Sequence, residues 1–433
     1  MHTLWKIQHG RIIDPTCNRD EIGDIFIKDG KIINAMDCSS CGERTIDASG
    51  CWVVPGCIDM HAHLREPGEE YKEDIHSGAR AAATGGFTAL ACMPDTSPVN
   101  DSGAVTEFIL SRAKDAAARI YPIGSISKAN RGEQLSEMGE LKTAGAIAVS
   151  DAGNPLVNSQ LMRRALEYAS DFNLPLLARC EETFLSSGVM NEGTVATRLG
   201  LKGVPTAAEA IMVYRNIALA ECTGKKIHLT LVSTEQSVAL IRAAKKRGIR
   251  VTAGTAPHYC ILTDKDVSSY DTNMRVSPPL RSEEDRIALL EALADGTLDV
   301  LTSGHSPQSI LEKECEFEHA ANGMIALETA MPLSLSFVQE GLLTPHRLIQ
   351  LFSSNPAKIL GVAGGNLQSG TVADLTIIKP DAPFLLTENH LASKSRNTPF
   401  LNKQMVGSIQ LTMLGGAIQY QNQTFPTPVD KEI

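Results

Sequence analysis

The sequence predicts an α/β fold: a parallel (β/α)8 TIM-type barrel with a small β domain built from the two ends of the chain. Three observations predict it. Between residues 56 and 304, eight short apolar runs alternate with longer amphipathic segments, the rhythm of strand–helix units on a parallel sheet. Both ends of the chain instead alternate apolar and polar residues between turns, as antiparallel strands do. At 433 residues the chain can hold one barrel of about 250 residues together with appendages.

In chain order, "LWKIQHGRIIDP", "DIFIKDGKIINAMD" and "CWVV" read as strands, with Asp29-Gly30 as a hairpin signal. The barrel strands follow as "GCIDMHAH" (56–63), "FTALACM" (87–93), "RIYPIG" (119–124), "AIAVS" (146–150), "LPLLAR" (174–179), "IHLTLV" (227–232), "RVTAG" (250–254) and "DVLTSG" (299–304). Between them lie helical segments such as "DSGAVTEFILSRAKDAAA", capped by Asp101 or Ser102, and "EEDRIALLEALADG", closed by Gly296. "GTVADLTIIKPD" and "MVGSIQLTMLGGAIQY" resume the β texture, so the two ends are expected to pair. The expected division is 1–53 and 361–433 for the two parts of the small domain and 54–360 for the barrel. Asp374, in "GTVADLTI", reads as a turn residue.

Hydrophobic residues make up 43% of the chain and charged residues 21%, the mix of a folded globular protein. A net charge of -10 and the lack of a basic stripe argue against a nucleic-acid partner, since no cationic surface is offered to phosphates. No apolar stretch approaches the length of a signal peptide or a membrane span, so no membrane partner is expected and the expected location is the cytoplasm. Ten scattered cysteines read as reduced and structural. Cys38 and Cys41 have the spacing of half a zinc site, but no second pair follows and the segment reads as a polar loop.

In a barrel of this kind the chemistry sits where the strands end and the βα loops converge. The first strand ends in His61-Ala62-His63. Two residues apart on a strand, both imidazoles face the same way and can share one divalent ion, or can simply be hydrogen-bonded barrel residues. The later strands end in Asp151-Ala152, Arg179, Leu231, Gly254 and Gly304, among which Asp151 alone is a conventional ligand. A hydrolytic metal site needs more: zinc takes three protein ligands beside its water, and a two-metal site adds a bridge and a base.

The stretch "PGCIDMHAHLREPGEEYKEDIHSGARAAATGGFTALACMPDTSPV" resembles the signature region of the dihydroorotase family in the amidohydrolase superfamily. "SDAGNPL", "CEETFLSSGVMNEG", "SPPLRSEEDRIALLEAL", "NGMIALETAMPL" and "SKSRNTPF" extend the resemblance, in family order, across nearly the whole chain. The nearest branch is the form that associates with aspartate carbamoyltransferase. The resemblance implies zinc as the usual metal, with His61 and His63 as its first ligands and Arg65 as the grip on a substrate carboxylate. It also marks departures. The second aspartate of the strand-four pair is Ala152. The family's His-Cys-Glu on strand five is Arg179-Cys180-Glu181, and its His-Val-Ser-Thr on strand six begins with Leu231. Asp-His-Ala-Pro-His on strand eight, whose aspartate is the general acid/base, becomes Gly304-His305-Ser306-Pro307-Gln308. The asparagine of the family's Met-Pro-Asn-Thr substrate motif is Asp95.

Losing four ligand positions while keeping two histidines implies a catalytically impaired or inactive homologue, a pseudoenzyme with no metal or a weakly held zinc. Such a chain is expected to serve as a scaffold for aspartate carbamoyltransferase in a homo- or hetero-oligomer. An active cyclic amidohydrolase with a reduced mononuclear site on His61 and His63 is the alternative. A third reading is a sensor that binds a carboxylated pyrimidine through Arg65 without turnover; Asp95 joins Arg65 as a candidate substrate-binding residue. Arg179 is expected to supply the missing metal's charge and to offset Asp151 or Asp95, because a guanidinium pairs with carboxylates yet cannot generate hydroxide. Arg65 has neighbouring carboxylates in Glu66 and Glu73. Cys180, one residue past Arg179, is expected on the opposite face. His258 and His305 read as satisfied polar histidines rather than rescue ligands, and Glu181 and Asn191-Glu192 as loop braces.

Overall fold

The computed structural model describes residues 4–34 and 43–430; the Cys38–Cys41 segment lies outside the described residues. Five strands lead in: β1 (Leu4–Asp14), β2 (Arg19–Lys28), β3 (Lys31–Ile33), β4 (Glu43–Asp47) and β5 (Trp52–Pro55). The β2–β3 hairpin turns on Asp29 and Gly30, whose φ values of 51° and 76° match the right-handed twist of the flanking strands.

The barrel strands follow in the predicted places: β6 (Cys57–Ala62), β7 (Phe87–Cys92), β8 (Arg119–Ser125), β9 (Ala148–Ser150) and β10 (Leu176–Arg179). After a short side pair, β11 (Met190–Asn191) with β12 (Gly203–Val204), come β13 (Ile227–Thr230), β14 (Val251–Thr255) and β15 (Val300–Leu301). The eight barrel strands are neighbours in chain order and run parallel. The ring is joined where Ala62 bridges His305 and the His63 N–H donates to the His305 carbonyl at 2.9 Å. All six residues of β6 and of β7 are buried. Helices cover the outside and side chains fill the inside, so such strands read in sequence as unbroken apolar runs.

The predicted helices form with the expected caps. Glu283–Asp295 starts on a Ser282 capping box, in which the serine accepts from Asp285 N, and stops at left-handed Gly296 (φ 86°). For Gly103–Arg112 the N-cap is Ser102 rather than Asp101.

The chain then returns through β16 (Leu375–Leu385), β17 (Gln404–Leu414), β18 (Ala417–Gln421) and β19 (Val429–Asp430), which join β1–β5 in one nine-stranded sheet. β16 lies antiparallel to β5, with Leu375 opposite Pro55 and Ile378 opposite Trp52, so the returning end pairs with the strand that feeds the barrel. Ile7, Val53, Ile377 and Leu411 form its buried interior. Asp374 does more than turn the chain. It accepts from Gly415 N at 2.7 Å and from Arg119 Nη2 at 3.0 Å, tying the small sheet to β8. Among the described residues no helix is long and apolar enough to cross a membrane.

Candidate functional site at the barrel mouth

A cavity of about 500 Å³ opens at the strand ends, lined by His61, His63, Arg65, Asp95, Arg179, Leu231 and Gly304 among others. His61 on β6 and His63 just past its end stand edge to face, their ring centres 5.2 Å apart. His63 Nδ1 is 2.7 Å from Asp95 Oδ1. A carboxylate can only accept here, so a ring proton sits on Nδ1. His61 Nδ1 is buried and has no hydrogen-bond partner. Burial, reinforced by the charges of His63 and Arg179, drives the His61 pKa well below the ordinary histidine value, so the ring is neutral.

Asp95, the candidate substrate-binding residue in the Met-Pro-Asp-Thr stretch, is a hub. Burial alone would raise its pKa, but His63, Arg65 and His61 outweigh that and hold the carboxyl well below the usual range. Arg65 is buried; its Nη2 donates to Ser306 Oγ at 2.9 Å and its Nε to the Pro307 carbonyl at 3.2 Å. Its carboxylate partners are Glu69 at 3.4 Å and Asp95 at 3.7 Å, not Glu66 or Glu73. Glu66 is taken by Arg112 and the Ile75 N–H, and Glu73 by Ser77, Ser393 and the Lys394 N–H.

The four altered positions do not all face the cavity. Ala152 packs inside the barrel with Met60, Ala91 and Leu177 and is absent from the cavity wall. Asp151, the conventional ligand among the later strand ends, spends one oxygen on Arg179 N (2.7 Å) and the other on Leu156 N (2.8 Å). Leu231 lines the mouth at φ 50°, a left-handed conformation that costs a residue with Cβ about 1 kcal/mol or more. Gly304 is left-handed too (φ 66°), and a Cβ there would sit 3.2 Å from His258 Cε1.

Arg179 points into the mouth as expected, but its counter-charge is neither Asp151 nor Asp95. Nε and Nη2 both donate to Glu181 Oε2, at 2.9 and 2.7 Å, and Nη2 also to Ser277 Oγ at 2.5 Å. Glu181 is two residues further on and emerges on the same side, whereas Asp151 is already consumed by backbone amides. Glu181 is therefore a partner of the mouth rather than a loop brace. Asn191 is the brace, between Asp264 and Arg281.

His258 departs from the expectation of a satisfied histidine. It lines the cavity against Tyr259, its Nδ1 is buried without a partner, and burial pushes its pKa down to about 3. His305 is off the cavity wall: Nδ1 accepts from Ala326 N at 3.1 Å, while Nε2 lies 3.5 Å from the Glu73 carboxylate without a hydrogen bond. Cys180 turns away, as strand alternation demands. Its sulfur accepts from Asn216 Nδ2 at 3.3 Å and burial pushes the thiol up to about 12.

Among the described residues, no group of three His, Cys, Asp or Glu side chains is placed to hold a metal ion. The donor set therefore does not fit the zinc that the resemblance implies, which takes at least three protein ligands. Sequence reasoning also passed over Ser277 and Gln308, which share the cavity wall. Both lay inside quoted motifs, but neither carries a charge or a ligand spacing that would single it out.

A family model described as dihydro-orotase-like matches residues 50–237. A protein named dihydroorotase from Desulfotalea psychrophila is 53% identical over 417 residues, 96% of this chain and 99% of that protein. One from Geobacter metallireducens is 50% identical over 419 residues, 96% of this chain and 99% of its own length. Among solved structures, L-hydantoinase from Arthrobacter aurescens superposes with a TM-score of 0.87 at 24% identity, covering 99% of this chain and 98% of that one. Dihydropyrimidinase from Brevibacillus agri does so at 0.84 and 22%, covering 98% and 96%. These two show the shared fold, and the full-length identities show the lineage. The chain belongs to the dihydroorotase-like family, built on the amidohydrolase barrel.

Proposed function

We propose that this chain is a dihydroorotase-family protein of pyrimidine biosynthesis whose mouth receives a small cyclic amide bearing a carboxylate, and whose ring-opening activity is low or absent. One observation carries the reading: among the described residues no three donors at the mouth are placed to hold an ion, and a fixed guanidinium stands where a hydrolytic centre needs a further donor and a base. Arg65 remains available to the ligand carboxylate, because its 3.4 Å contact with Glu69 is its longest hydrogen bond and the easiest to exchange. The test is elemental analysis after dialysis against zinc, together with a dihydroorotate hydrolysis assay. Metal well below one ion per chain and turnover about a thousandfold below the Desulfotalea relative support the reading. Stoichiometric metal with comparable turnover overturns it.

A second reading is an active cyclic amidohydrolase with a reduced site on His61 and His63. The specific observation favouring it is the identity of 53% and 50%, over 96% of the chain, to proteins named dihydroorotase. Those names weigh toward a hydrolase and against an inert scaffold, while the donor count weighs against the metal. A scaffold role for aspartate carbamoyltransferase is carried by the resemblance alone, and co-purification with the transferase tests it.

A further inference from the structure

The proposed function gives Arg179 no part in holding a ligand. A guanidinium carries five N–H donors in a rigid fork. Here Nε and Nη2 are committed to Glu181 and Ser277, and Nη1 makes no hydrogen bond although the residue lines the cavity. An unpaired cationic N–H that faces an open cavity favours a ligand that brings an acceptor. The same wall has further unmet capacity: His61, His258 and Gln308, each at least nine-tenths buried, carry a polar atom without a partner (Nδ1, Nδ1 and Oε1).

The negative groups nearby are already used. Asp95 is held by His63 and Arg65, and Glu181 takes two hydrogen bonds from Arg179 through a single oxygen. A second anion can approach Nη1 without displacing either. A dication cannot approach as easily, because the guanidinium is a permanent positive charge beside the two histidines that would have to bind it.

We propose that Arg179 makes the barrel mouth a metal-independent oxyanion site, in which Nη1 donates to an oxygen of a small carboxylate ligand while Glu181 and Ser277 hold the guanidinium in place. This rests on the reading of the mouth as a ligand site without a hydrolytic metal centre. Glu181 and Ser277 are then positioning residues, and the ligand class is a ring-sized carboxylate matched to a cavity of about 500 Å³.

The test is calorimetry with orotate and with dihydroorotate in the presence of EDTA, on wild type, Arg179→Met, Glu181→Gln and Arg163→Met. The last removes a cation from an exposed helix pair and controls for net charge. Wild type is expected to bind in EDTA. Arg179→Met should weaken binding about tenfold or more, the usual loss for a charge-assisted hydrogen bond. Glu181→Gln frees the guanidinium from its counter-charge and should tighten binding, whereas a merely structural salt bridge would weaken or leave it unchanged. Thermal midpoints of all four proteins show whether each is folded. Binding that requires zinc, or equal affinity of wild type and folded Arg179→Met, overturns the inference. Metal counting and the hydrolysis assay judge the proposed function separately: a metal-free, inactive protein whose ligand ignores Arg179 would sink this inference and leave that reading standing.

Discussion

The frame behind the mouth and the mouth itself have been treated differently by this sequence. In the frame, buried carboxylates are saturated with bonds from the loops they hold. Glu209 accepts from the N–H and hydroxyl groups of both Ser233 and Thr234. Asp59 accepts from Thr302, from Ser303 N at 2.9 Å and from His61 N at 3.2 Å, pinning the last barrel loop to the first. At the mouth, by contrast, His61, His258 and Gln308 each leave a buried polar atom unpaired, and Arg179 leaves an N–H pair. Burying a polar group without a partner costs about 1–3 kcal/mol, so a fold keeps what orders its loops and can lose what only served a ligand. The lesson is that the bonds that order the loops and the groups that face the cavity are separable: the first are saturated, the second are not.

The largest effect that can sharpen this comparison is restoration. If the frame still holds the loops in place, Ala152→Asp, Arg179→His, Leu231→His and Gly304→Asp together should raise bound zinc from well below one to between about one and two ions per chain and increase dihydroorotate hydrolysis about a thousandfold or more. Position 231 already has the left-handed φ that histidine tolerates better than leucine. A folded quadruple variant that binds no metal would show that the frame has drifted as well.

A smaller effect comes from cutting the frame directly. Glu209→Ala leaves four donors without their acceptor and should cost about 3 kcal/mol or more in denaturant unfolding. His61→Ala removes a side chain with an unmet nitrogen and should cost less. Equal losses at both sites would erase the contrast.

The smallest effect is in the pH dependence. Burial holds His258 at about 3, against 6.5 for an ordinary histidine, so below 6.5 the unfolded chain takes up a proton that the folded chain refuses. Stability contributed by neutral His258 therefore falls as pH drops from 6.5 toward 3. His228, lowered to about 3 first by burial and then by Lys245, adds to the same limb. The frame responds later. Burial would raise Glu312, but Lys72 and Ser309 bring it down to about 2, so its contribution persists until pH falls through the range from 4.5 to 2. Thermal midpoints from pH 7 to 3 should show both limbs, and His258→Phe should flatten the upper one only.

Much of this architecture was legible in the residues. Each of the eight apolar runs lands on a barrel strand, because a strand covered by helices outside and packed inside has no polar face to interrupt it. Asp29-Gly30 and Gly296 announced their left-handed positions through the side chains those positions tolerate. At the site, His61, His63, Arg65, Asp95, Arg179, Leu231 and Gly304 line the cavity at the strand ends. Ala152 and Asp151 do not, since the turn after β9 directs one into the barrel interior and commits the other to backbone amides.

The amino-acid order by itself thus determined which segments become strands and where they end, since periodicity and residue type act over a few neighbours. Only the tertiary structure decided that Arg65 bonds Ser306 and Pro307 rather than the nearer Glu66, and that Arg179 is clamped by Glu181 and Ser277 with one nitrogen left over. Hydrogen-bond partners at a barrel mouth come from loops up to 242 residues apart, and their selection depends on side-chain direction and competition for each donor, which exist only once the ring has closed.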